Sequence, residues 1–173
     1  MLLTDAIKLI DNTYIRNDGA GKWADLGCGS GLFTKALASV ISPGSVITAI
    51  DKSSNGFKHL KGVYNEVTIE TLQEDFTAIQ FAAGIDGFLM ANSLHYVKDQ
   101  KEFVGNLKQQ LKKEGSIIIV EYDTDRSNPW VPYPVNADKL RLLFEANGFS
   151  SINFLASQPS VYGTTMYSAI IRN

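Results

Sequence analysis

Ala24-Asp25-Leu26-Gly27-Cys28-Gly29-Ser30-Gly31-Leu32-Phe33 sets three alternate glycines just behind an acid and just ahead of an apolar run. Glycine weakens any strand or helix it interrupts, because its backbone has the most freedom to lose. Three in so short a space mark a turn where the backbone itself must come close to something. Before the turn, Lys22 to Leu26 is a short run that predicts a buried strand. After it, Leu32, Phe33, Ala36, Leu37 and Val40 keep helical spacing, and Ser42-Pro43-Gly44 ends that helix.

The same alternation continues outward. The β-branched run from Ser45 to Asp51 predicts a second strand. A helix is expected from about Asn55 to Tyr64, then a strand over Thr68–Leu72 that closes on Glu74-Asp75-Phe76. Asp86 to Asn92 reads as a buried strand. Asp99, with Glu102 three residues on, caps a helix whose apolar face is Phe103, Val104, Leu107 and Leu111 and whose stop is Gly115. Ser116 to Tyr122 is the clearest strand. A last helix over Ala137–Ala146 and strands at Ile152–Ala156 and Thr165–Ile171 complete the chain. Upstream, Thr4 caps a first helix with Ile7, Ile10 and Tyr14 on one face, and Asn17-Asp18-Gly19 breaks it. Wholly apolar strands alternating with amphipathic helices imply an α/β fold, a doubly wound parallel sheet covered on both faces.

Composition narrows the function classes. The 173 residues suffice for one domain, 45% are apolar, and sixteen Lys and Arg against eighteen Asp and Glu leave a net charge of -2. That balance gives no electrostatic reason to expect nucleic acid as a partner. Cys28 is the only cysteine, so no disulfide framework and no thiolate metal cluster are expected, and no metal site is assigned. No apolar stretch approaches the length of a membrane span, and the first residues lack the pattern of a secretory signal. A cytoplasmic protein with no membrane partner is the expectation; the oligomeric state is left open.

In such a sheet, ligands bind beyond the carboxyl ends of the strands. Asp25, Asp51 and Asp75 each close a strand there. A carboxylate at the position of Asp51 suits a ribose, because it accepts from two adjacent hydroxyls. Asp75 lies further along the edge, where an adenine amino group could donate to it. The constellation predicts an adenosine-containing ligand. The spacing of Gly27, Gly29 and Gly31, with Leu32 next, fits the dinucleotide fingerprint poorly.

Asp25 to Gly31 resembles the first motif of class I S-adenosylmethionine-dependent methyltransferases. The resemblance runs on through Asp51, through Glu74-Asp75-Phe76, and into Asp86–Asp99, "DGFLMANSLHYVKD", which looks like the fourth-strand segment of small-molecule members. It implies a Rossmann-like, seven-stranded, mostly parallel sheet of order 3-2-1-4-5-7-6 with an antiparallel last strand. It implies one domain over 1–173: a cap over 1–21, a cofactor-binding core over 22–122, and a substrate side over 123–173. It further implies S-adenosylmethionine as cofactor and S-adenosylhomocysteine as product. Asp25 and the Gly27, Gly29 and Gly31 backbone would hold the methionine end, Asp51 with its neighbour Lys52 the ribose side, Asp75 and Phe76 the adenine, and Asn92 the region of the sulfonium.

The acceptor side is less specified. His95 is the candidate base, and a packing histidine is the alternative. His95, Tyr96, Tyr122, Trp130 and Tyr133 are the candidate pocket; the aromatic residues of the Pro-stiffened loop either wall it or plug the last helix. Tyr162 and Tyr167 are left in the same two-way state. Cys28 reads as a filler of the turn, His59 as solvated, and Lys101, Lys108 and Lys112 as a solvated face. Ala91-Asn92-Ser93-Leu94 lacks the Asn/Asp-Pro-Pro-aromatic signature of many enzymes that methylate amino groups of nucleic acids or protein glutamine, which favours a small-molecule acceptor. The rivals are a non-catalytic cofactor-binding module or partner subunit, an RNA methyltransferase, and an NAD-dependent oxidoreductase.

Overall fold

The computed structural model describes residues 1–16, 19–81, 84–160 and 163–173. The expected break at Asn17-Asp18 and the side chain of Tyr162 lie outside the described residues. The strands are β1 (Lys22–Leu26), β2 (Val46–Asp51), β3 (Gly62–Tyr64), β4 (Val67–Gln73), β5 (Ile85–Ala91), β6 (Leu111–Tyr122), β7 (Ser151–Pro159) and β8 (Thr165–Arg172). The helices are α1 (Leu3–Ile10), α2 (Thr13–Arg16), α3 (Leu32–Ala38), α4 (Gln100–Gln110) and α5 (Ala137–Ala146).

Among the described residues the strands form one sheet of order β3-β4-β2-β1-β5-β6-β8-β7. β1 sits centrally, parallel to both β2 and β5, and β8 runs antiparallel to both β6 and β7. Without β3 this is the expected order, antiparallel strand included. The sheet is therefore eight-stranded rather than seven-stranded. β3 occupies the end of the stretch expected to be helical from Asn55 to Tyr64, of which only a 3-10 turn at Phe57–His59 forms. The reason is local. Asn65 and Glu66 take φ of 50° and 61°, a left-handed pair that turns the chain back on itself. Val63 and Tyr64 then pair antiparallel with Thr68 and Val67.

The alternation of side chains along each strand splits the core in two. Ile47, Leu89, Ile118 and Val120 face one side and pack with Leu9 and Ile10 of α1 and Leu37 of α3. Phe88, Met90, Ile117 and Ile119 face the other and pack with Val104 and Leu107 of α4 and Leu140 and Phe144 of α5. Asp99 caps α4 as expected, its Oδ1 accepting from the Glu102 amide at 3.0 Å. Two details differ from expectation at the start. Thr4 lies inside α1, whose Asp5 carboxylate accepts from the Leu2 amide. Tyr14 belongs to α2 and is exposed, not part of a continuous buried face. No helix among the described residues is long and apolar enough to cross a membrane.

Candidate active site

Parallel pairing brings the carboxyl ends of β1, β2, β4 and β5 to one edge, and with them Asp25, Asp51, Asp75 and Asn92. The glycine turn that follows β1 is left-handed three times, with φ of 85° at Gly27, 53° at Gly29 and 83° at Gly31. A Cβ on Gly27 would lie 2.7 Å from Cβ of Ser93 and 3.3 Å from the Phe76 ring, while one on Gly29 would meet nothing within 4 Å. The turn thus packs tightly on one side and leaves open space on the other. It is tied to the second strand: the Gly27 and Cys28 amides both donate to the Ile50 carbonyl at 2.9 Å, and the Gly29 amide donates to Oδ2 of Asp51 at 2.8 Å.

A cleft of about 350 Å³ opens beside this turn. Gly27, Asp51, Lys52, Asp75, Phe76 and Asn92 line it; Asp25, Gly29 and Gly31 do not. Oδ1 of Asp51 accepts from the Ser53 amide at 2.9 Å, so each carboxylate oxygen carries one protein donor and keeps a further lone pair. Lys52 reaches across to Asp75, Nζ to Oδ2, at 3.0 Å. Oδ1 of Asp75 accepts from both the hydroxyl and the amide of Thr77, at 2.7 and 3.0 Å. Burial alone would raise the Asp75 pKa, but the Thr77 bonds and Lys52 outweigh it and hold the carboxyl below its usual value.

Asp25 lies beneath the turn and is 1% exposed. Its Oδ2 accepts from the Thr34 hydroxyl at 2.5 Å, and its Oδ1 has no partner. Burial pushes its pKa up to about 7; the Thr34 bond opposes the shift and the charge of Asp51 adds to it. Asn92, through Oδ1, is another buried acceptor without a partner among the described residues. Its φ of 55° is a strained conformation for a residue with a side chain. Cys28 is buried, and burial, with Asp25 and Asp51 nearby, pushes its thiol far above the ordinary range, as suits a filler rather than a nucleophile.

A second cavity, of about 560 Å³, adjoins the first, and Asn92 and Tyr96 line both. His95, Tyr96, Tyr122 and Trp130 are on its wall. Tyr133 is not. Its amide instead donates to the His95 carbonyl at 3.0 Å and its carbonyl accepts from Gln100, so it straps the turn that carries His95. Tyr167 is buried; its hydroxyl donates to the Val135 carbonyl at 2.7 Å, so its role is packing.

His95 sits in a 3-10 turn, Leu94–Tyr96, with Glu121 of β6 against it. The ring Nδ1 is 2.6 Å from Oε2 of Glu121, and the His95 amide donates to Oε1 at 3.2 Å. Both side chains are almost fully buried. One carboxylate therefore fixes both backbone and ring, and orients Nδ1 toward Glu121 and Nε2 away from it. Sequence reasoning did not find Glu121, although an acid in the otherwise apolar run Ile117–Tyr122 was a signal. It also missed Thr124, Arg126 and Asn128, which line the second cavity. Lys108 and Lys112 are not simply solvated: Lys108 donates to the Asn147 and Gly148 carbonyls and Lys112 pairs with Asp86. Among the described residues no cluster of His, Cys, Asp and Glu could hold a metal ion.

Comparison with known proteins agrees with this fold. No curated protein matches the chain in sequence. Among solved structures, the mitomycin 7-O-methyltransferase MmcR superimposes with a TM-score of 0.69 at 19% identity, over 99% of this chain and 54% of its own. The 1,6-didemethyltoxoflavin-N1-methyltransferase of Burkholderia thailandensis, solved with 1,6-didemethyltoxoflavin and S-adenosylhomocysteine, gives 0.72 at 17% identity, over 99% of this chain and 78% of its own. A SAM-dependent methyltransferase from Archaeoglobus fulgidus gives 0.68 at 16%, over 92% and 88%. The chain thus spans about half the length of the first of these and more of the other two. At such identities the likeness is one of fold. The model of the methyltransferase domain family matches residues 24–119, from within β1 into β6, more than half of the sequence. This chain belongs to the methyltransferase domain family.

Proposed function

We propose that this chain transfers the methyl group of S-adenosylmethionine to a hydroxyl of a small-molecule acceptor, with His95 as the general base. The observation that carries the reading is the junction of the two cavities at Asn92 and Tyr96, with unpartnered buried acceptors by the first and a His–Glu pair on the wall of the second. The first cleft suits the cofactor. Oδ1 of Asp25 and Oδ1 of Asn92 are buried acceptors that need a donor, and the ammonium of a methionine end is one. Asp51 keeps lone pairs for the ribose hydroxyls, and Asp75 and Phe76 flank the place for the base. The cofactor supplies an electrophilic methyl group on a positively charged sulfur.

The chain's part is to align, to exclude water and to move one proton. The Glu121 carboxylate holds the His95 ring and stabilises the imidazolium once Nε2 has taken the proton. The aromatic walls around His95, with Tyr96 at 4.4 Å and Tyr122 at 6.0 Å between ring centroids, restrict the acceptor to a narrow set of approaches. A module that only held the cofactor would have no use for a buried histidine–glutamate pair in the second cavity.

Calorimetric titration with S-adenosylmethionine, S-adenosylhomocysteine and NAD, beside Asp51→Ala, tests the cofactor half. Binding of the first two and its loss in the variant are expected; binding of NAD alone would overturn the reading. Transfer of labelled methyl to a panel of hydroxylated acceptors, lost in His95→Gln with cofactor binding intact, tests the other half.

A further inference from the structure

The second cavity carries a group that methyl transfer itself does not require. Arg126, on the loop between β6 and α5, lines it opposite no counter-charge. The other three arginines are engaged: Arg16 grips both oxygens of Asp11, Arg141 lies 5.2 Å from the Phe154 ring centroid, and Arg172 lies 5.1 Å from that of Tyr14. Among the described residues the Arg126 guanidinium has no such partner. Its own loop offers two acids: Asp123 accepts from the Ala137 amide at 3.0 Å, and among the described residues neither Asp123 nor Asp125 forms an ion pair with Arg126. Glu121 is buried and committed to His95. Among the described lining residues Arg126 is the one permanent charge.

A guanidinium is a planar fork matched to a carboxylate. It stands here on a wall shared with Tyr96, Tyr122 and Trp130, whose rings favour a flat partner. We infer that the acceptor is a flat aromatic hydroxy acid of one or two rings, its carboxylate on Arg126 and its hydroxyl at His95. This rests on the proposed methyl transfer and names its substrate class. A cavity of about 560 Å³ is the right size for such a molecule. In the step, the hydroxyl proton passes to Nε2 of His95 and the hydroxyl oxygen takes the methyl carbon. The electron pair of the broken carbon–sulfur bond stays on sulfur, and the proton on His95 leaves to solvent. The carboxylate keeps its charge throughout, so Arg126 contributes to binding and not to the barrier.

The test uses 4-hydroxycinnamate and 6-hydroxy-2-naphthoate, each beside its carboxamide. Binding to the protein saturated with S-adenosylhomocysteine is read by calorimetry, and turnover is read with S-adenosylmethionine. At least one acid is expected to bind about tenfold more tightly than its amide, the lower end for a hydrogen bond to a charged group. Arg126→Gln should erase that preference by weakening the acid alone, raising its KM and leaving kcat and S-adenosylhomocysteine affinity unchanged. Arg126 is exposed on a loop, so the variant folds, as an unchanged circular dichroism spectrum and Tm will show. Equal affinity for acids and amides, a preference that survives in Arg126→Gln, or no binding of either acid while S-adenosylhomocysteine binds would each overturn the acidic acceptor and spare the cofactor reading. Failure of S-adenosylhomocysteine to bind would overturn the underlying reading and this proposal with it.

Discussion

Replacing Asp25 with asparagine isolates the electrostatics beneath the glycine turn. In the folded protein this carboxyl has a pKa of about 7 against an ordinary 3.8, raised chiefly by burial. Below 3.8 it is protonated in both states and contributes no pH dependence. Between 3.8 and 7 the unfolded chain ionises while the folded chain keeps its proton, so stability falls as pH rises through that window. Above 7 the full penalty is present. About three units, at roughly 1.4 kcal/mol each, make it about 4 kcal/mol as an upper limit. The amide side chain of Asp25→Asn would keep the shape and the acceptor for Thr34 but could not ionise. Without cofactor, wild type should therefore lose stability relative to Asp25→Asn as pH rises from about 4 to about 7. For a chain of this length that is a relative shift in Tm of about 10 °C. Thermal unfolding followed by circular dichroism across that range measures it. Bound S-adenosylhomocysteine should shrink the difference, because its ammonium stabilises the ionised carboxylate, and binding at a pH just below the Asp25 pKa should release a proton in wild type alone. Parallel Tm profiles for the two proteins over the whole range would refute the reasoning, since Asp25 would then be ionised throughout.

Other outcomes follow from the same geometry. His95→Gln should lower kcat by about a hundredfold or more, typical of a lost general base, with cofactor affinity unchanged in calorimetry. Glu121→Gln should lower kcat less and shift the pH–rate profile, because the ring keeps a partner but not a charged one. Gly27→Ala should destabilise the fold by about 1–3 kcal/mol in urea titration, given the positive φ and the 2.7 Å approach to Ser93, and should weaken cofactor binding. Phe144→Ala should lose about 3–5 kcal/mol, being fully buried in the core, while Leu142→Ala, two residues away on the exposed side of α5, should change stability by less than about 0.5 kcal/mol.

Asp25, Gly27, Gly29, Gly31 and Asp51 are readable from the chain because the signals that reveal them are local. Positive φ at glycine, apolar runs and an acid at the end of each run act within a few residues. The helix expected over Asn55–Tyr64 fails for an equally local reason, the left-handed pair at Asn65 and Glu66, which nothing in the helical spacing announces. His95 can be noticed in the sequence but not decided, since a base and a packing histidine look alike there. Its partner Glu121 is 26 residues away. The two meet because β5 and β6 pair in parallel with Ala91 beside Val120, which delivers the residues after one strand to the end of the next. The placement of Tyr133 is decided in the same way: which atoms of a loop face a cavity depends on what the loop folds against.

The sequence by itself determined the alternation of strands and helices, the ligand edge of the sheet and the nature of the cofactor, because these rest on periodicity and on residue types at short spacings. Only the tertiary structure decided that Asp25 is a buried carboxyl whose pKa is pushed up to about 7, that His95 is held by Glu121, and that Arg126 lines the second cavity. Burial, pairing and exposure are properties of what packs around a group, and here the packing partners come from strands and loops far apart in the chain.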